Sequence, residues 1–188
     1  MGPIDRRSDE ELVAICNAGD GLEAARAFEA LYRRHRDFVL RVARRFTRDR
    51  DLALDALQET FAYLLNKFPP AGEGLTLTAR LPTLLYPAAK NAAITGVRKA
   101  RRHSGVDDAV LDELPAAEPY SEGEPIDAAL AALSPERREV LTLRFVDDLS
   151  LAEIAVALDV PLGTVKSRLH LALKALREDN RIKDLFQP

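Results

Sequence analysis

Apolar residues return every three or four positions through most of this chain and nowhere alternate for long, so the pattern predicts helices and no strand. Ser8 followed by Glu11 is a capping-box signature, and it opens a helix carrying Leu12, Val13 and Ile15. From Phe28 the rhythm runs through Leu31, Phe38, Val39, Val42 and Phe46, with arginines between them. A second amphipathic stretch places Leu54, Leu57, Phe61, Leu64, Leu65 and Phe68 on one face. "FPPAGEG" then breaks the pattern, because two prolines and two glycines cannot continue a helix. Residues 84–102 read as helical again despite Pro87 and finish in "VRKARR". Residues 104–127 show no period and contain Pro115, Pro119 and Pro125. Beyond them come three helical pieces, starting at Ser134-Pro135, at Ser150, and within "GTVKSRLHLALKALRE". The expected fold is all-α: a bundle over 1–103, a flexible linker over 104–127, and a second bundle over 128–188.

Charge divides the chain in the same way. The formal net charge is −3, yet residues 28–103 carry fifteen Lys and Arg against seven Asp and Glu. Residues 104–127 carry eight acids and no Lys or Arg, which makes the joint an acidic tether between two globular parts. No run of apolar residues approaches a membrane span and no charged-then-apolar leader opens the chain, so neither membrane insertion nor secretion is expected. One cysteine, Cys16, cannot form an internal disulfide and reads as a small buried residue. Three scattered histidines have no metal-ligand spacing. A cytoplasmic location fits this composition. No nucleophile–base set, phosphate-cradling glycine loop or cofactor motif is present, so no enzyme, metal or cofactor is expected.

The stretch "SLAEIAVALDVPLGTVKSRLH" carries the most information. Ser150 and Glu153 form a capping box, and Leu149 with Ile154 occupy the positions of a hydrophobic staple. Ala155 is small where two helices would cross. Asp159 stands where the turn wants a left-handed residue, and Val165 follows Ala155 at the spacing that locks a helix-turn-helix. At about 100° per residue, Val165, Leu169, Ala172, Leu173 and Leu176 share one arc of the last helix. Lys166, Ser167, His170, Lys174 and Arg177 share the neighbouring arc. One face packs, and the other offers cations and hydrogen-bond donors to a major groove. An ordinary solvated basic face is the competing reading. The coincidence of cap, staple, turn and spacing favours DNA.

"LSPERREVLTLRFVDDLSLAEIAVALDVPLGTVKSRLHLALKALRE" resembles region four of bacterial RNA polymerase sigma factors, in particular the compact extracytoplasmic-function kind. The resemblance implies a module that reads the promoter's minus-35 element. Lys166, Ser167, His170 and Lys174 would face bases or phosphates, with Thr164 and Arg168 in support. Leu171 stands where the family often has arginine.

"FEALYRRHRDFVLRVARRFTRDRDLALDALQETFAYLLNKF" resembles region two of the same family. Asp51, Asp55, Gln58, Glu59 and Asn66 fall on one polar arc opposite the apolar face. Spacing alone leaves this a solvated face. The resemblance implies that Asp51, Asp55, Gln58 and Glu59 grip the clamp helices of the polymerase's largest subunit. "LPTLLYPAAKNAAITGVRKARR" is similar to the family's promoter-melting and minus-10-reading helices. The resemblance assigns minus-10 contacts to Tyr86, Lys90, Asn91, Arg98 and Lys99, with Arg101 and Arg102 continuing the basic edge. Three departures fall here. Leu84 replaces a common tryptophan, Pro87 interrupts the helix, and the loop "PPAGEGLTLTARLP", which shapes the base pocket in the family, is several residues longer than usual.

The chain is thus expected to be a promoter-specificity subunit whose partners are core RNA polymerase, promoter DNA and an anti-sigma factor. The acidic linker would thread a positively charged polymerase channel. A stand-alone helix-turn-helix regulator, acting as a dimer without polymerase, is the reading from another class.

Overall fold

The computed structural model describes residues 5–19, 21–103 and 125–182. These form two compact units, one holding the described residues up to 103 and the other those from 125 on. Eight α-helices and no strand are present among the described residues. None of those helices is long and apolar enough to cross a membrane.

The first unit holds α1 (Asp9–Asn17), α2 (Gly21–Arg44), α3 (Arg50–Leu65) and α4 (Leu81–His103). The capping box of α1 is closed in both directions. Ser8 Oγ accepts from the Glu11 N–H at 3.2 Å, and Glu11 returns its carboxylate to the Ser8 N–H at 2.6 Å. Asp49 starts α3 by accepting the N–H groups of Asp51 and Leu52. α2 packs against α1, α3 and α4, and α3 packs on α4. Ala43, Ala53, Ala56 and Ala93 meet where α2, α3 and α4 approach, since small side chains allow close backbones. Phe28 sits edge-on to both Phe61 and Phe68, with ring centroids 6.3 Å apart in each case. Cys16 is buried as expected, and burial pushes its thiol pKa up.

Two details of this unit differ from the reading of the pattern. Leu65, placed on the apolar face of α3, is 51% exposed. α4 begins at Leu81 and runs unbroken through Pro87. Proline removes the N–H that would bond the Thr83 carbonyl, a loss that tertiary packing of the surrounding turns outweighs: Leu81, Leu85, Tyr86 and Ala89 are all buried.

The second unit holds α5 (Pro125–Ala131), α6 (Pro135–Phe145), α7 (Leu151–Leu158) and α8 (Leu162–Glu178). Of the segment read as linker, residues 104–124 lie outside the described residues, whereas 125–127 belong to α5. The short helix exists because Ala129 enters a core with Leu133, Leu141, Ala172, Leu176 and Ile182, and Ile126 and Leu130 pack against it, which a pattern of seven residues is too brief to announce. Arg138 of α6 anchors its end, donating from Nε to the Leu130 carbonyl at 2.9 Å and from its terminal nitrogen to Ala131 at 2.7 Å. α6 and α7 both pack on α8.

Candidate nucleic-acid interface

The turn that aims α8 is built as its sequence suggests. Ser150 and Glu153 close a second reciprocal capping box. Leu149 and Ile154 are fully buried beneath it. Asp159 adopts the left-handed conformation, φ 52° and ψ 49°. Its N–H returns to the Val156 carbonyl at 3.2 Å, and the Val160 N–H returns to Ala155 at 3.0 Å. These are the two bonds of a Schellman stop, which reverses the chain within a few residues. Ala155 itself is half-buried, and the small residue sealed in the interior is Ala157.

α8 divides into two faces. Val165, Ala172 and Leu176 are buried, and Leu169 and Leu173 are half-buried. Lys166, Ser167, His170, Lys174 and Arg177 are exposed together on the adjoining arc. Ser167 Oγ donates back to the Thr164 carbonyl at 3.0 Å, leaving its lone pairs outward. Thr164 and Arg168 are half-buried at the other flank. At the start of α6, Glu136's own backbone N–H and the Ser134 hydroxyl hold the Glu136 carboxyl below its usual range, and the charge of Arg168 adds a smaller share. His170, Leu173, Lys174 and Arg177 border a shallow hollow that Glu178 closes. Lys174 reaches Glu178 at 3.9 Å, a surface pair that strand phosphates would compete with.

On α4, Asn91 and Lys99 are exposed and Lys90, Arg98 and Arg101 half-buried, with Arg102 at the exposed end. Lys90 Nζ stands 6.0 Å from the centre of the Phe46 ring, a cation–π contact that orients its stem. Tyr86, expected among the minus-10 contacts, is 1% exposed, a core residue in this unit. Tyrosine is amphipathic, so its place in the pattern fits core and surface equally.

The structure adds a groove of about 400 Å³ between α3 and α4. Asn91 lines it, as do Leu84 and Pro87, two of the three departures noted in this stretch of sequence. Glu59 lines it too, although spacing groups Glu59 with the polar arc of α3. Asp51, Asp55 and Gln58 of that arc are exposed away from the core. Tyr63 and Thr95 line the groove as well, beside Ala88 and Ala92, and the sequence reading missed both. Each lies four residues beyond a chosen residue, Tyr63 after Glu59 and Thr95 after Asn91, a helical adjacency that would have found them. Tyr63 is 41% exposed, and the Lys67 ammonium sits 4.5 Å from its ring centre. An apolar wall, an open aromatic ring, an amide, a hydroxyl and a carboxylate together suit a flat heteroaromatic group taken out of a stack.

Residues 31–103 match the family model of Sigma-70 region 2, and residues 123–176 match Sigma-70, region 4. The RNA polymerase sigma-E factor of Streptomyces coelicolor is 32% identical over 161 residues, covering 84% of this chain and 88% of the relative. The ECF RNA polymerase sigma factor SigL of Mycobacterium tuberculosis is 34% identical over 170 residues, covering 85% and 92%. Among solved structures, CnrH in complex with the cytosolic domain of CnrY matches with a TM-score of 0.63 at 20% identity, covering 96% of this chain and all of that one. RpoE of Bartonella quintana, solved with the anti-sigma factor NepR, matches with a TM-score of 0.59 at 24% identity, covering 83% and 96%. Those two likenesses establish the fold. Two matched modules and relatives shared over most of their length establish more: the chain belongs to the extracytoplasmic-function (ECF) sigma factors, the non-catalytic subunits that direct promoter-specific transcription initiation by RNA polymerase.

Proposed function

We propose that the two units of this sigma factor divide promoter reading between them. The exposed face of α8 reads the minus-35 element: Lys166, Ser167, His170 and Lys174 meet base edges or phosphates, with Thr164 and Arg168 supporting from the flank. α4 reads the minus-10 element: Lys90, Arg98, Lys99, Arg101 and Arg102 hold the strand, and Asn91 contacts a base. Tyr86 leaves that set. The groove beside Asn91 receives one unstacked base against Tyr63, with Thr95 and Glu59 at its polar edge. Asp51, Asp55 and Gln58 bind core polymerase, and Glu59 serves the groove's rim as well. The domain limits are 1–103 and 128–188, with α5 as a short forward extension of the second. The protein works in the cytoplasm, where polymerase is, and an anti-sigma factor holds it off, as NepR is paired with the Bartonella protein.

The observation that carries this reading is the clean partition of α8, in which five donors and cations are exposed on one arc and five apolar residues pack on the next. Transcription with core polymerase and this chain, followed by start-site mapping, tests it. Starts should cluster behind two shared sequence elements. Starts without a shared upstream element would sink the minus-35 assignment. Failure to co-purify with core polymerase would sink the polymerase surface.

A further inference from the structure

The loop between α3 and α4 is held from outside itself. Asn17, the last residue of α1, makes two hydrogen bonds to one residue of that loop. Its Nδ2 donates to the Leu75 carbonyl at 2.8 Å, and its Oδ1 accepts from the Leu75 N–H at 2.7 Å. The side-chain amide thus pairs with Leu75 as a neighbouring strand would, across 58 positions of sequence. Beside it Gly74 has φ +104°, and a Cβ there would stand 3.1 Å from Asn17 Oδ1. The Gly74 N–H in turn donates to the Lys67 carbonyl at 2.9 Å. Gly72 closes the same turn so tightly that a Cβ would meet Lys67 backbone at 2.5 Å. Lys67 carries its ammonium over the Tyr63 ring at the groove. A continuous path therefore runs from the Asn17 amide through Leu75, Gly74 and Lys67 to Tyr63.

We propose that Asn17 is a positioning residue for minus-10 specificity: its clamp on Leu75 sets the backbone of Lys67, and hence the cation over Tyr63 that shapes the groove. The inference rests on the reading that this groove receives an unstacked base. It concerns a residue of α1 that touches no part of the groove and that no periodicity marks. Aspartate cannot replace Asn17 fully, because it keeps the acceptor but turns a second oxygen toward the Leu75 carbonyl. The α3–α4 loop is long for its kind, and a long loop needs an external anchor to hold one conformation.

The test uses holoenzyme made from core polymerase and the full chain, with transcription measured on promoters varied one base at a time through both elements. Asn17→Ala, Asn17→Asp and Gly74→Ala are compared with Asn91→Ala, and thermal melts accompany each variant. Asn91→Ala should change the minus-10 preference. Asn17→Ala and Gly74→Ala should lower the ratio between best and worst base at the same position, by a factor of about two to thirty. The minus-35 preference should stay as it was. Should Asn17→Ala fail to fold, Gly74→Ala and Asn17→Asp carry the test. If the clamp variants keep the wild-type minus-10 profile while Asn91→Ala changes it, the groove reads a base and Asn17 has no part in it. A loss of output equal across all minus-10 variants would make the clamp a matter of folding alone and overturn the inference. If Asn91→Ala is itself silent, the groove reading fails first and takes this inference with it.

Discussion

At the scale of single residues, the proposed reading of α8 turns on which donor would meet a base and which only a phosphate. Lys166 and His170 are exposed one turn apart on the same arc. Lys166→Ala should cost about 1–3 kcal/mol on the best promoter and relax preference at one base position. If its partner is a phosphate, affinity falls for every sequence and the salt slope shrinks by about one. Arg168, on the far flank near Glu136, should lower affinity when replaced without altering preference. Binding to single-base promoter variants at two salt concentrations separates these outcomes, and an unaffected Lys166→Ala would remove α8 from the DNA. A second residue-scale case ties α1 to α2. Asp9 Oδ2 lies 2.8 Å from His35 Nε2, and its other oxygen takes Arg34 at 2.6 Å. Burial raises the Asp9 pKa, but the bonds and charges of His35 and Arg34 outweigh it and leave the value lowered. A carboxyl whose folded pKa is lowered stabilises the fold above the ordinary carboxylate range, and that stability is lost as the pH falls through the depressed value. Asp9→Asn should therefore destabilise by about 1–3 kcal/mol at neutral pH. The gap from wild type should narrow in acid melts. A gap that stays constant down to low pH would contradict the charge's role.

At the scale of elements, the question is what stops α7 and starts α8. The Schellman stop at Asp159 needs a left-handed residue, and an L side chain there is strained by roughly 1 kcal/mol. Asp159→Gly should raise the melting temperature of the second unit, whereas Asp159→Val should lower it and loosen the aim of α8. Thermal melts of the full chain, followed by promoter binding, check both, and a stabilising valine would refute the strain argument. Ala157 is buried and Ala155 half-buried, so Ala157 has less room for a larger side chain. Ala157→Leu should overpack by about 1–3 kcal/mol, and Ala155→Leu should cost less. The reverse order would place the tighter contact at Ala155.

At the scale of the whole molecule, the proposal assigns opposite charges to different partners. The first unit is rich in cations, yet α3 presents Asp51, Asp55 and Gln58 on one exposed arc. Asp55→Lys should weaken association with core polymerase, by a few kcal/mol if desolvated there and by little at a rim, without touching minus-10 preference. Glu59 lies in the groove, so Glu59→Lys should change both. Pull-down titrations with core polymerase and transcription from minus-10 variants read the two effects apart. Identical behaviour of the two variants would mean that the arc and the groove are one surface.

Whatever depends on neighbours within a turn or two could be read from the chain alone. Ser8–Glu11 and Ser150–Glu153 cap across three residues, Asp159 bends its own backbone, and the 3.6-residue period sorts the faces of α8. Those interactions need no distant partner, so local sequence carries them. Tertiary structure decided the rest. Leu65 is exposed and Tyr86 buried because packing between helices, not periodicity, sets how wide a buried face becomes. α4 continues through Pro87 because contacts with α2 and α3 outweigh one missing hydrogen bond. The groove gathers Glu59, Tyr63, Leu84 and Asn91 from two helices joined by a long loop, and Asn17 holds that loop from a third. Such juxtapositions are properties of the folded backbone, because residues 58 positions apart have no common period through which either could announce the other.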